Sequence, residues 1–375
     1  VKIPLSKPWI TGEDIDAVNR VMETAYLSLG PKLAEFEQKL SKVANRKYAV
    51  AVNSGTSALH LIIRSLGIKE GDEVITTPFS FIASSNCILF ENAKPVFVDI
   101  KPDTYNIDVS LIEDAITERT KAIIGVDVFG QPADWEKLTA IADKHNLYLI
   151  EDSAEAIGSE YKGKPAGSFG DAAIFAFYPN KQITTGEGGA ILTDSENIAN
   201  LSKSMRNQGR GEGDDWLKHV RLGYNYRIAD INCALGISQV NRLDEIVSKR
   251  NEAARLYSKM LAEIDEVVVP HISPDTTKMS WFVYVIRLSE KFSEEDRNKL
   301  IEEMQRRGIQ TRNYFAPIHL QPFYAEQFNF RRGDFPITEF VSERTVALPF
   351  YTTISKSEIQ FVVENLKESI RSVLK

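Results

Sequence analysis

Residues Asp171 to Gly189 read DAAIFAFYPNKQITTGEGG, and this stretch sets the fold because it places one lysine, Lys181, between two apolar runs. Ala172 to Phe177 is apolar without interruption, and Gly189 to Leu192 begins a second such run, so both read as buried strands. Between them Pro179, Gly186 and Gly188 break regular structure. A loop flanked by strands can hold a lysine at the mouth of a sheet, where loss of water favours the neutral, nucleophilic amine. Taken alone, the stretch favours a surface lysine on a turn. Distant segments have to supply the other parts of a site.

Working outward, strand-like runs at Tyr48–Val52, Glu73–Thr76, Pro95–Asp99, Lys121–Val126 and Tyr148–Glu151 alternate with helix-length segments such as Ser57–Leu66, Ser110–Ile116 and Asp134–His145. That alternation predicts an α/β fold, a mostly parallel seven-stranded sheet flanked by helices, with sites at the carboxyl ends of its strands. Two amphipathic helices, Gly12–Thr24 opened by Thr11 and Leu33–Ala44, precede it. From Ile228 to about Ile264 the pattern is helical, which predicts a bridge into a smaller α/β C-terminal domain. The expected division is a large domain over 1–240 and a small one over 241–375. In the latter, Trp281–Leu288 reads as a strand, and Ser293–Arg307 and Lys356–Leu374 as helices.

The chain's 375 residues are enough for two cores, and the net charge of −7 with interspersed signs argues against a nucleic-acid binder. Cys87 and Cys233 make no disulfide framework and no metal-ligand spacing with the histidines, so no metal is expected. No apolar run approaches the ~20 residues of a membrane span, and Val1–Asp14 lacks a signal-peptide core. A cytoplasmic protein is expected.

Three strand ends carry chemistry. Asn53-Ser54-Gly55-Thr56-Ser57 follows a strand and opens a helix, so its backbone N–H groups suit a phosphate. It has neither the Walker ending nor a dinucleotide glycine fingerprint, which argues against a nicotinamide-dependent dehydrogenase. Glu151-Asp152-Ser153-Ala154-Glu155 ends another strand, where a carboxylate can pair with a cationic ring nitrogen. A Mg²⁺ site from Glu151, Asp152 and Glu155 is disfavoured because alternate strand residues face opposite ways. Pro78-Phe79-Ser80-Phe81 supplies an aromatic plate for a flat cofactor. Lysine, phosphate cup, carboxylate and plate together are what pyridoxal phosphate requires.

These residues, with Ile3-Pro4-Leu5, Leu29-Gly30-Pro31, Gly223-Tyr224-Asn225-Tyr226-Arg227 and Pro317-Ile318-His319-Leu320-Gln321-Pro322, resemble the DegT family of nucleotide-sugar aminotransferases over nearly the whole chain. The resemblance implies a pyridoxal-phosphate enzyme of the aspartate-aminotransferase fold that moves an amino group from L-glutamate to a keto-sugar on a nucleoside diphosphate. It implies that Lys181 is the Schiff-base lysine, that Asp152 meets the ring nitrogen, that Phe81 stacks on the ring, and that Gly55 and Thr56 hold the phosphate. Asn225 would reach the cofactor phosphate of a neighbouring subunit, which implies a homodimer with shared sites. Tyr178, Tyr314 and His319 would line the sugar-nucleotide pocket. The Ile183–Gly189 continuation resembles members acting on 4-keto sugars, and the retained lysine favours transamination over dehydration or a non-catalytic, regulatory role. Two positions depart from the family pattern. Ala176 stands where many members place a phosphate-binding serine, and Glu155 where glutamine or histidine is common near the ring hydroxyl.

Overall fold

The computed structural model describes residues 2–211 and 218–374. Seven strands form the main sheet: β1 (Tyr48–Val52), β2 (Glu73–Thr76), β3 (Lys94–Phe97), β4 (Thr120–Val126), β5 (Tyr148–Asp152), β6 (Ala172–Ala176) and β7 (Gly189–Thr193). Their spatial order is β1-β7-β6-β5-β4-β2-β3. Only β7 runs antiparallel to its neighbours, so the other six strands present their carboxyl ends on one edge. The apolar runs are buried on both faces, as a helix-covered sheet demands: every residue from Ala49 to Val52, Ala172 to Phe175 and Gly189 to Leu192 is buried.

Helices begin where the sequence offers caps. Ser54 opens Gly55–Ser65 by accepting the Ser57 N–H at 3.1 Å, and Asp134 opens Trp135–His145. The expected helix at Ser110–Ile116 is instead two short 3₁₀ turns, Val109–Leu111 and Glu113–Ala115. Val109 and Ile112 are its two buried anchors, and their spacing of three suits a 3₁₀ turn as well as an α-helix. The long helical stretch is two helices, Asp230–Asn241 and Leu243–Leu261, broken at Arg242. There the guanidinium bonds the buried Asp14 carboxylate.

Beyond this break, a three-stranded antiparallel sheet (Val267–Val268, Tyr284–Leu288, Thr345–Leu348) packs with helices Glu294–Arg306 and Lys356–Val373. Their apolar cluster includes Tyr257, Tyr284, Leu300, Val362 and Leu366. The predicted strand Trp281–Leu288 starts only at Tyr284, because Trp281 adopts a left-handed φ of 52°. Ser293 and Ser355 close reciprocal capping boxes with Asp296 and Glu358. Among the described residues, no helix is long and apolar enough to cross a membrane.

Candidate active site

The register of β7 brings the cup and the lysine loop together. Gly189 pairs with Val52 on one side and Ala176 on the other. A methyl group on Gly189 would lie 2.5 Å from the Ser54 carbonyl carbon, so only glycine lets the Lys181 loop close over the turn that follows β1. Gly55 is under the same constraint, since its Cβ would be 2.9 Å from that of Ala176.

The result is a cavity of about 490 Å³ at the carboxyl edge of the sheet. Gly55, Thr56, Phe81, Asp152, Glu155, Tyr178, Lys181 and Tyr314 all line it, brought together from five separate segments of the chain. Ser57 N–H bonds the Ser54 hydroxyl, and Ala58 N–H the Ser54 carbonyl at 3.1 Å. The first-turn amides of Gly55 and Thr56 have no such bond among the described residues, which leaves two donors at the positive end of a helix.

Asp152 is buried at the end of β5. Its Oδ2 accepts the Ser84 hydroxyl at 2.7 Å and its Oδ1 the Ala154 N–H at 3.2 Å. Burial pushes its pKa up, while those bonds and Lys181 pull it down. Phe81 and Tyr178, by contrast, are 62 % and 52 % exposed. Lys181 Nζ sits 3.3 Å from Glu155 Oε1, and the other oxygen of Glu155 accepts the Phe129 N–H at 3.0 Å. Burial raises the Glu155 carboxyl, with the charge of Lys181 opposing it.

Glu151 points the other way, accepting the N–H groups of Gly167 at 2.6 Å and Phe169 at 2.8 Å. Alternation along β5 therefore separates it from Asp152 and removes the alternative of a Mg²⁺ site; no metal-binding cluster occurs among the described residues. His319 also lies apart from the cavity. It is fully buried, its Nε2 3.0 Å from Glu339 Oε1 and its ring against Phe335, and so is not in the lining expected of it. Asn225 is exposed, and its backbone lies by Asn53, outside the cavity wall. Sequence reasoning missed Ser84, Asn180, Glu187, Phe282 and Phe315 in the lining. Ser84 carried a signal only in standing one turn after Phe81, whose carbonyl accepts the Ser84 N–H at 3.2 Å just ahead of the helix that starts at Ala83. Phe282 carried none.

The donor set fits pyridoxal phosphate: paired helix amides beside a glycine cradle, a buried carboxylate, an exposed aromatic face and one lysine on a single cavity of ligand size.

A sequence model of the DegT/DnrJ/EryC1/StrS aminotransferase family matches residues 8–367. GDP-perosamine synthase of Escherichia coli O157:H7 is 36 % identical over 98 % of this chain and 98 % of its own. Among solved structures, Helicobacter pylori PseC, an aminotransferase involved in the biosynthesis of pseudoaminic acid, superposes with a TM-score of 0.94 at 31 % identity, covering 99 % of this chain and 100 % of that one. Spr1654 from Streptococcus pneumoniae in its PLP form superposes with a TM-score of 0.95 at 30 % identity, covering 100 % of both chains.

Proposed function

The chain belongs to the DegT/DnrJ/EryC1/StrS aminotransferase family, and we propose that it moves the amino group of L-glutamate to the 4-keto carbon of a sugar carried on a nucleoside diphosphate. It is a pyridoxal-phosphate-dependent sugar aminotransferase. The observation that carries the assignment of residues is the convergence of Lys181, Asp152, Phe81 and the Gly55–Thr56 amides on one cavity. The relative that makes a GDP-linked sugar supports a nucleotide sugar as substrate, and the Ile183–Gly189 continuation supports the 4-keto class.

Pyridoxal phosphate, when bound, supplies an aldehyde that carries the amine between substrates and a ring that withdraws electrons. Each residue then has a task set by its chemistry. The Gly55 and Thr56 amides hold the phosphate at the helix start. Asp152, fixed by Ser84, balances the charge of the ring nitrogen, and Phe81 covers one ring face. Lys181 Nζ takes a proton from the substrate carbon and returns it, with Glu155 orienting the amine. Tyr178 and Tyr314 border the space left for the sugar. Asn225, exposed and outside its own cavity, is assigned to the phosphate of a partner subunit, so the working unit is a homodimer. Two free, buried cysteines suit a reducing cytoplasm.

A panel of keto-sugar nucleotides incubated with glutamate, with products read by mass spectrometry, tests this reading. A 4-amino sugar nucleotide formed only with glutamate present is the expected result. Amination at another carbon, or none across the panel, would refute the substrate assignment.

A further inference from the structure

The amine of Lys181 has two neighbours of different kinds. Glu155 Oε1 stands 3.3 Å away, and on another side the centre of the Phe282 ring lies 4.0 Å from Nζ. Phe282 is 1 % exposed and the Lys181 side chain 12 %, so the contact lies at the cavity wall with limited access to water. The ring is also firmly held. Phe282 N–H donates to the Phe129 carbonyl at 3.1 Å, and the Phe282 carbonyl accepts from Arg250 Nη2 at 2.6 Å. Arg250 Nε donates to the adjacent Trp281 carbonyl at 2.7 Å, and Nη1 to Thr352 Oγ1 at 3.2 Å. Arg250 is 2 % exposed, so these bonds replace its hydration and cannot loosen without stranding a buried charge.

An aromatic face is the negative end of a quadrupole and attracts an ammonium most strongly where water is excluded. It differs from Glu155 in one respect that matters for proton transfer. A carboxylate can take the proton from the lysine; a benzene ring cannot. We propose that Phe282 is a catalytic residue whose ring face stabilises Lys181 while Nζ carries the proton, and keeps that proton available for return to the substrate. The proton that leaves carbon for Nζ is the one Nζ gives back, and the ring neither gains nor loses one. This catalytic meaning rests on the reading of Lys181 as the proton-moving amine; the contact between ring and ammonium does not.

Replacing Phe282 by mono-, di- and trifluorinated phenylalanines keeps the ring's shape while weakening its negative face in steps. In the cofactor-free protein, the rate at which an amine-directed acylating reagent modifies Lys181 at fixed pH, read by peptide mass mapping, reports the neutral amine. The expected result is a stepwise rise reaching roughly threefold to tenfold for the trifluorinated ring, between the sizes of an exposed and a fully desolvated cation–π contact. Phe282→Leu, which removes the quadrupole but keeps an apolar side chain, should rise in the same direction. Rates independent of fluorine number, or a Phe282→Leu protein no faster than the native one, would overturn the proposal. Neither readout uses cofactor or sugar, so such a result would leave the aminotransferase reading untouched, and a failed amination assay with an intact fluorine series would do the reverse.

Discussion

Ser153 sits between two carboxyl groups and has one proton to offer. Its hydroxyl contacts Asp127 Oδ2 at 2.6 Å and also Glu151 Oε1, and all three residues are fully buried. If both acids were ionised, one of those short contacts would join two oxygens with no hydrogen between them, so one acid keeps a proton. Burial first, and the Glu151 charge second, push the Asp127 carboxyl well above its ordinary value. An acid whose folded pKa exceeds its unfolded one binds its proton more tightly in the native state. Stability is therefore lost as pH rises from the ordinary carboxylate range, near ~4, through the raised value. Asp127→Asn removes that loss without breaking a bond. Its amide oxygen still accepts Ala133 N–H and Trp135 Nε1–H, as Oδ1 does now at 2.8 and 2.9 Å, and its NH₂ donates to Ser153, freeing that hydroxyl for Glu151. Melting temperatures measured across pH should show the variant gaining on the native protein as pH rises. Two parallel curves would mean that no proton is held there.

Among elements, the contact of the Gly55–Ser65 helix with β6 and β7 decides the shape of the phosphate cup. Gly189→Ala would press a methyl group to 2.5 Å from the Ser54 backbone, and backbone cannot swing aside as a side chain can. A loss of about 2 kcal/mol or more in denaturant unfolding is expected, the scale of overpacking. Ala176, facing the cavity next to Gly55, invites the opposite change. Ala176→Ser adds a hydroxyl to a wall that holds a phosphate, and one net hydrogen bond of ~1 kcal/mol corresponds to roughly fivefold tighter cofactor binding. Equilibrium dialysis would measure it; unchanged or weaker binding would mean that the cup's donors are already complete. The strands and the cup were legible in the chain because each is a local pattern: apolar runs buried on both faces, then a capping serine and a glycine. What was not legible depends on partners far away in sequence. The left-handed Trp281 that shortens its strand is held by Arg250, and His319 is claimed by Glu339 and Phe335. Phe282 meets Lys181 across a hundred residues of chain, with no periodicity to announce it.

For the molecule as a whole, the cavity has an exposed edge. Phe81 and Tyr178 face outward there, and Asn225 stands outside its own site, all of which suits a second copy of the chain. If Asn225 serves the partner, a Lys181→Ala subunit still offers a sound Asn225, and an Asn225→Ala subunit a sound Lys181. Mixing the two inactive proteins under conditions that exchange subunits should restore amination through heterodimers, whereas silence in a mixture shown by native mass spectrometry to contain heterodimers would confine each site to one chain. The proposed chemistry depends above all on one lysine among the many of the chain being the one that holds the cofactor. Borohydride reduction of the protein loaded with pyridoxal phosphate, followed by peptide mass mapping, tests this most directly. One stable cofactor adduct is expected, on Lys181 in the peptide that joins β6 to β7; an adduct on a different lysine, with Lys181 unmodified, would contradict the assignment of Lys181.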